Sequence, residues 1–437
     1  MTRTIADALE ERLRSLGVQR VYGQPLANLQ QVPVSNPDLA VLLADADGRL
    51  GHHDGSGRLG AALLDGPILH LSSSPGGLAP LQRVSSAVEL LDALVDPPGM
   101  LLPGTLALHL DLDLNELVPT DLAPTRQVER VPVLTLDPSL AALNMLVLVG
   151  PGVIRANALD GVRDFARSAG CGIVTSWGAK GVERWDSPFH FGTFGLQQRD
   201  AECTGIDQAE ILILSGIDPA EIPPQLLDGF VTQEVPPGQL HALTTAWPPS
   251  RSLPQRPGAY ERLRSVITPL YESEVVPLTP PRAALHMAGL LPEGGTVVAD
   301  PGAAGFWLAR SFPTSFPGNI CIPASFTPGF AAAAAMVCSL EARPYFAVSD
   351  QIGGIDGLDD VTAELLELAE ELNQPVSLQL WGPEGTLSNS AAHIEVLQAQ
   401  LAAEHVRIDE VPVNLDAIED IERVAGELIA WPIESLE

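Results

Sequence analysis

The chain has 437 residues, of which 46% are hydrophobic and 18% charged, enough apolar content for two to four domains with full cores and too little charge for a disordered polymer. Its net charge of −31 repels phosphate backbones and anionic membranes, which argues against nucleic-acid and lipid partners. The longest apolar run, Phe330–Leu340, is too short for a bilayer, which takes about 20 residues, and reads as a buried helix.

From the amino terminus, Ile5, Leu9, Leu13 and Leu16 recur at helical spacing after Thr4, and Gly17 stops the helix. Val18–Tyr22 reads as a strand running into Gly23-Gln24-Pro25. Leu39–Leu43 reads as a second strand, Asp45–Arg58 as a helix and Pro67–Leu71 as a third strand. Val84–Leu94 then reads as a helix and Gly99–Leu110 as a strand. Pro119–Pro138 is rich in proline and threonine without periodicity, so it reads as a linker. Met145–Asp218 is the cleanest block. In it MLVLVGPG is a buried strand entering a glycine turn, Ala158–Ala169 a helix, and Gly172–Thr175 and Ala209–Ser215 further strands, a doubly wound βαβ pattern. A second proline-rich linker follows Trp247. Beyond it come strands at Thr296–Asp300 and Pro344–Ser349, and helices at Gly302–Phe312, Phe326–Cys338 and Val361–Leu372.

Cys171, Cys203, Cys321 and Cys338 are widely spaced and form no CxxC pair. With no secretory signal at Met1–Thr4, the expectation is a reduced, cytoplasmic protein. Arginine takes the place of lysine everywhere except at Lys180, a bias that GC-rich coding and a salty cytoplasm both produce.

Several segments together resemble the thiamine-diphosphate-dependent enzymes of the acetolactate synthase, pyruvate oxidase and benzoylformate decarboxylase group. The helix–Gly17-Val18–strand–Gly23-Gln24-Pro25 order is similar to the start of their pyrimidine-binding domain. DADGRLGHHDGSGR, Asp45–Arg58, resembles the HEQGAAFAADGYAR-type helix, with Gly48, Asp54, Gly55 and Arg58 in register. Ser72-Ser73-Ser74-Pro75-Gly76 stands where members carry TSGPG. Ser187-Pro188 followed by Gly192-Thr193-Phe194-Gly195 matches the central domain, and Trp307 and Arg310 match the aromatic-then-Arg pattern of the diphosphate-binding domain.

The resemblance implies an α/β protein of three doubly wound domains: a truncated pyrimidine-binding-like domain over 1–118, a linker to 140, a central Rossmann-like domain over 141–246, a proline-rich linker over 247–280, and a diphosphate-binding-like domain over 281–437. A quarter to a third of the first domain is expected to be absent, leaving a smaller, rearranged sheet or one covered by a partner subunit. A homodimer is implied, because members set the pyrimidine domain of one subunit against the diphosphate domain of the other. A catalytic relative is a further possible partner.

The resemblance also implies where catalysis would sit, and there the residues depart from it. The position of the family's glutamate, which hydrogen-bonds the pyrimidine and drives thiazolium deprotonation, is Ala46. A one-residue helix slip would let Asp45 or Asp47 substitute, but consecutive side chains diverge by about 100°. For the family's Gly-Asp-Gly metal turn, Asp350 and Asp356 compete in two registers, both also readable as turn or helix-capping residues. The Asn-Asn position is Gly382-Pro383, which offers no side-chain oxygen to an octahedral cation. No thiamine diphosphate, Mg2+ or other cofactor is therefore expected, and no catalytic residue is assigned.

In the central block Gly150-Pro151-Gly152 follows a strand and opens towards a helix, the context of a dinucleotide site, but the third fingerprint glycine falls at Arg155. A plain tight turn explains the same residues. Arg155 and Lys180, near that sheet's carboxyl edge, are the candidates for an anionic ligand. His52-His53-Asp54 diverge on a helix and lack a completing ligand. Trp177, Trp185, Trp307 and Trp381 read as core or interface anchors. Three functions follow: a non-catalytic relative serving binding, assembly or regulation; an active 2-oxo acid decarboxylase or carboligase with a rebuilt site; or a nucleotide- or flavin-binding protein using the central domain alone.

Overall fold

The computed structural model describes residues 2–26, 28–51, 57–73, 80–97, 104–126, 134–135, 137–250, 252–350 and 353–431. The chain divides into two compact units, Met1–Val133 and Leu134–Glu437.

The first unit opens with the expected helix, Ile5–Ser15. Thr4 and Asp7 form a capping box, and Ile5, Leu9 and Leu13 are buried beneath it. Here β1 (Thr2–Thr4) pairs antiparallel with β8 (Leu117–Pro119). The main sheet has six strands in the order β3 (Gln30–Val32), β2 (Arg20–Gly23), β4 (Gly60–Leu64), β5 (Ile68–Ser72), β7 (Thr105–Leu110), β6 (Leu81–Val84). Its middle is antiparallel, β4 to β5 and β5 to β7, while the flanking pairs are parallel.

Two expectations fail in this unit. Leu39–Leu43 is not a strand but part of the Pro37–Leu50 helix. Asn36 caps that helix by accepting the Asp38 N–H, Pro37 fits its first turn, and Leu39, Leu42, Leu43, Ala46 and Leu50 share one buried face at helical spacing. The helix ends at Gly51 instead of running to Arg58, and β4 follows where no strand was expected. It joins β5 through Asp65-Gly66-Pro67, with Gly66 at φ +86°, the left-handed position a three-residue hairpin loop requires.

The second unit holds two five-stranded sheets, both wholly parallel. One runs β11 (His190–Thr193), β10 (Gly172–Thr175), β9 (Met145–Val149), β12 (Ile211–Ser215), β13 (Thr232–Glu234). The other runs β15 (Ile320–Cys321), β14 (Thr296–Ala299), β16 (Tyr345–Ser349), β17 (Ser377–Gly382), β18 (Arg407–Pro412). Strands buried on both faces need unbroken apolar runs, which MLVLV and TVVA supply. The segment read as a linker over 247–280 contains the Gly258–Glu272 helix, whose Ala259, Leu263 and Ile267 join the core around Trp307 and Trp381. The Phe330–Leu340 helix is buried as expected; its five consecutive alanines let the sheet approach closely.

Candidate functional site

Ala46 lies on the Pro37–Leu50 helix with no solvent exposure. Both acidic neighbours have other partners. Asp45 Oδ1 meets His70 Nε2 at 2.9 Å, and Asp47 accepts from the Tyr22 hydroxyl at 2.9 Å and from Arg58 Nε at 3.0 Å, with Arg20 at 3.7 Å. Burial, then the Asp47 charge, push the Tyr22 phenol well above its usual range. Turning this helix by one residue would strand both carboxylates in the core, at several kcal/mol each. What the sequence retains of the helix is its packing. A Cβ on Gly48 would fall 2.0 Å from the Ser72 carbonyl oxygen, and one on Gly60 would fall 1.7 Å from that of Ala44. Helix and hairpin touch backbone to backbone, so the glycines persist whether or not chemistry does. His52, His53, Asp54, Gly55 and Ser74-Pro75-Gly76 lie outside the described residues.

At the carboxyl edge of the β14–β18 sheet, two carboxylates close two helix N-termini. Asp300, just past β14, accepts the Ala331 N–H at 2.8 Å; Asp350, just past β16, accepts the Ala304 N–H at 3.1 Å. Burial lifts the Asp300 carboxyl to about 7, the Asp350 charge adding to it, and burial lifts Asp350 as well. Asp356 instead sits exposed on the short Gly354–Gly357 turn. The cap of the next helix, Asp360–Glu371, is Asp359, so neither metal candidate performs that role. Ala303 and Ala304 bring only methyl groups to the edge, and Gly382-Pro383 no donor. Beyond Gly382 the nearest polar group to its open face is Glu384, whose Oε2 a Cβ there would meet at 2.6 Å. Among the described residues no three His, Cys, Asp or Glu side chains converge for a metal. A cation for a diphosphate takes carboxylates, and here those of Asp300 and Asp350 each accept a helix N–H while Gly382-Pro383 adds no side-chain oxygen.

In the central sheet the Gly150-Pro151-Gly152 turn is filled by protein. The Gly152 N–H donates to the Gly216 carbonyl, and a Cβ on Gly150 would lie 2.3 Å from the same oxygen. The glycines serve the close crossing of two βα turns. The Gly152–Arg155 helix is a single turn, with Arg155 buried at its end. Lys180 is placed differently: it is buried just past the short Trp177–Ala179 turn, where burial, and then the Arg310 charge, lower its pKa to about 7. Past the end of β10, Trp177 lines a cleft of about 400 Å3 together with Gly195, Glu221, Gln225, Phe326 and Trp431. The Trp177 and Trp431 rings stand 4.9 Å apart. Trp431 Nε1 donates to the Pro323 and Ala324 carbonyls, whereas Trp177 Nε1 is buried and lacks an acceptor among the described residues.

Residues 140–225 match the family model of the thiamine pyrophosphate enzyme central domain. That stretch is similar to the central domain of the thiamine pyrophosphate enzymes. The fold agrees well beyond it. A solved structure from Mycobacterium smegmatis, of a protein provisionally assigned as a thiamin diphosphate-dependent enzyme, superposes with a TM-score of 0.62 at 16% identity, covering 94% of this chain and 99% of that one. No curated protein matches the sequence. Within this fold, sequence reasoning missed Asp300 and the Trp177 cleft. Asp300 had a signal, an acid ending an apolar strand before Pro301-Gly302, but turns share it. Trp177 is buried as an anchor and lines the cleft as well.

Proposed function

We propose that this thiamine pyrophosphate enzyme relative is non-catalytic and serves binding, assembly or regulation. The observation that carries the reading is Ala46, a buried methyl whose acidic neighbours are both committed to other partners. The carboxylate-closed edge at Asp300 and Asp350 supports it from the diphosphate side. Calorimetric titration with thiamine diphosphate and Mg2+, with pyruvate turnover assayed on the same sample, tests it. No heat and no turnover are expected. Micromolar binding, about 8 kcal/mol, would sink the proposal in favour of an active decarboxylase or carboligase with a rebuilt site.

A second reading, a nucleotide- or flavin-type ligand on the central domain, is favoured by the aromatic cleft and the unmet Trp177 N–H. Quenching of tryptophan fluorescence by added flavin or adenine nucleotide supports that reading, and unaltered emission at millimolar ligand counts against it. A homodimer remains part of the proposal, read out by the mass in solution.

A further inference from the structure

The cleft past the end of β10 is assembled from stretches of the second unit that lie far apart in sequence. Its walls carry three aromatic residues, Trp177, Phe326 and Trp431. Trp431 is held there against its backbone preference, for its φ of +49° is left-handed, a conformation that bulky side chains adopt only under constraint. Its Nε1 donates to the Pro323 and Ala324 carbonyls at 3.1 Å each, which fixes the ring. The Trp177 ring meets it at 4.9 Å and 59°, so the two stand at an angle instead of stacking. Phe326 is 48% exposed, which leaves much of its ring uncovered.

The charge in these walls has one sign. Glu221 is the single ionisable residue among the described ones that line the cleft, and it is buried. Its carboxylate lies beside the turn that carries Trp177, with Oε2 accepting the Gly178 N–H at 3.1 Å. Gly178 makes that approach possible, because a Cβ there would fall 2.2 Å from Glu221 Oε1. Among those lining residues no Lys, Arg or His stands ready to meet a phosphate or a carboxylate. The field of a buried carboxylate is poorly screened, and the chain's net charge of −31 draws cations towards it. Aromatic faces add to the attraction, since their quadrupoles hold ammonium groups.

We infer that the Trp177 cleft binds a small organic cation, a quaternary ammonium or protonated amine of choline's size, against Trp177, Phe326 and Trp431 with Glu221 as counter-charge. The volume of about 400 Å3 suits a compact ligand. A nucleotide would set its phosphates near Glu221 with no cation from the walls to meet them. The assignment stands on the cleft alone and holds whether or not the thiamine pyrophosphate chemistry is retained.

The test is calorimetric titration of the intact protein with choline at constant ionic strength, against its uncharged isostere, in which a tert-butyl group replaces the trimethylammonium. Saturable binding of choline is expected, with the isostere weaker by about tenfold or more. Phe326→Ala, at a half-exposed position, should weaken choline about fivefold. Glu221→Gln keeps an acceptor for the Gly178 N–H and removes the charge; it should weaken choline about tenfold and leave the isostere unchanged. Equal binding of the two probes reduces the cleft to an apolar hole and overturns the assignment, as does the absence of choline binding at millimolar concentrations. Choline binding that survives both substitutions lies elsewhere and overturns it too. Flavin or adenine nucleotide that displaces choline with higher affinity transfers the cleft to the nucleotide reading. Because neither probe is a thiamine or a 2-oxo acid, failure here leaves the non-catalytic reading intact, and the reverse.

Discussion

Asp300 shows how one residue acquires its chemistry from elements remote in sequence. Its carboxyl is lifted from the ordinary 3.8 to about 7 in the folded chain, so between those values the folded state holds a proton that the unfolded state has lost. Stability therefore falls as pH rises through that window, by about 1.4 kcal/mol per unit for a single group, and the full cost applies above it. Asp300→Asn keeps an acceptor for the Ala331 N–H and removes the charge. Urea midpoints should show a gain of about 1 kcal/mol at pH 4.5 that rises to about 4 kcal/mol at pH 8; a gain independent of pH would refute the shift. At this scale the sequence was informative where a residue stands in register, as Ala46 does. It was silent where burial decides, because the neighbours that bury Asp300 come from β16 and the Phe330–Leu340 helix.

Elements were legible where their signals are local. The βα repeats from β9 to β12 follow from apolar runs and glycine turns, and the structure places them within one or two residues. The Pro37–Leu50 helix was cut in two because Leu39–Leu43, read alone, is a short apolar run that fits strand and helix equally. Its cap at Asn36-Pro37 resolves the ambiguity, and Asp65-Gly66 marks the hairpin that follows. Gly48 carries the close approach of the two. Gly48→Ala would drive a methyl into the Ser72 carbonyl, destabilising the first unit by about 3 kcal/mol or more. All six tryptophans lie in the second unit. The substitution should therefore lower an early transition seen by circular dichroism and leave the tryptophan-fluorescence transition in place. A fluorescence transition that falls in parallel would show that the units unfold as one.

For the molecule as a whole, the four cysteines provide a readout of the second unit's integrity. Cys171, Cys203, Cys321 and Cys338 are all buried and none forms a disulfide, and burial lifts the Cys171 thiol to about 12 and that of Cys203 to about 11. Thiolate is the reactive form, so the native protein should give almost no colour with a disulfide reagent at pH 8 and four equivalents after unfolding. A thiol that reacts within seconds in the native protein would contradict the packing. The sequence by itself determined the α/β class, the central βαβ domain, and the methyl at Ala46, because periodicity, turn chemistry and residue identity are properties of neighbours along the chain. Only the tertiary structure decided that Asp45 and Asp47 are spoken for, and that Asp300 and Asp350 close the two helix ends. Each of these is a contact between segments far apart in sequence, and its energy comes from desolvation, which no residue has until the fold buries it.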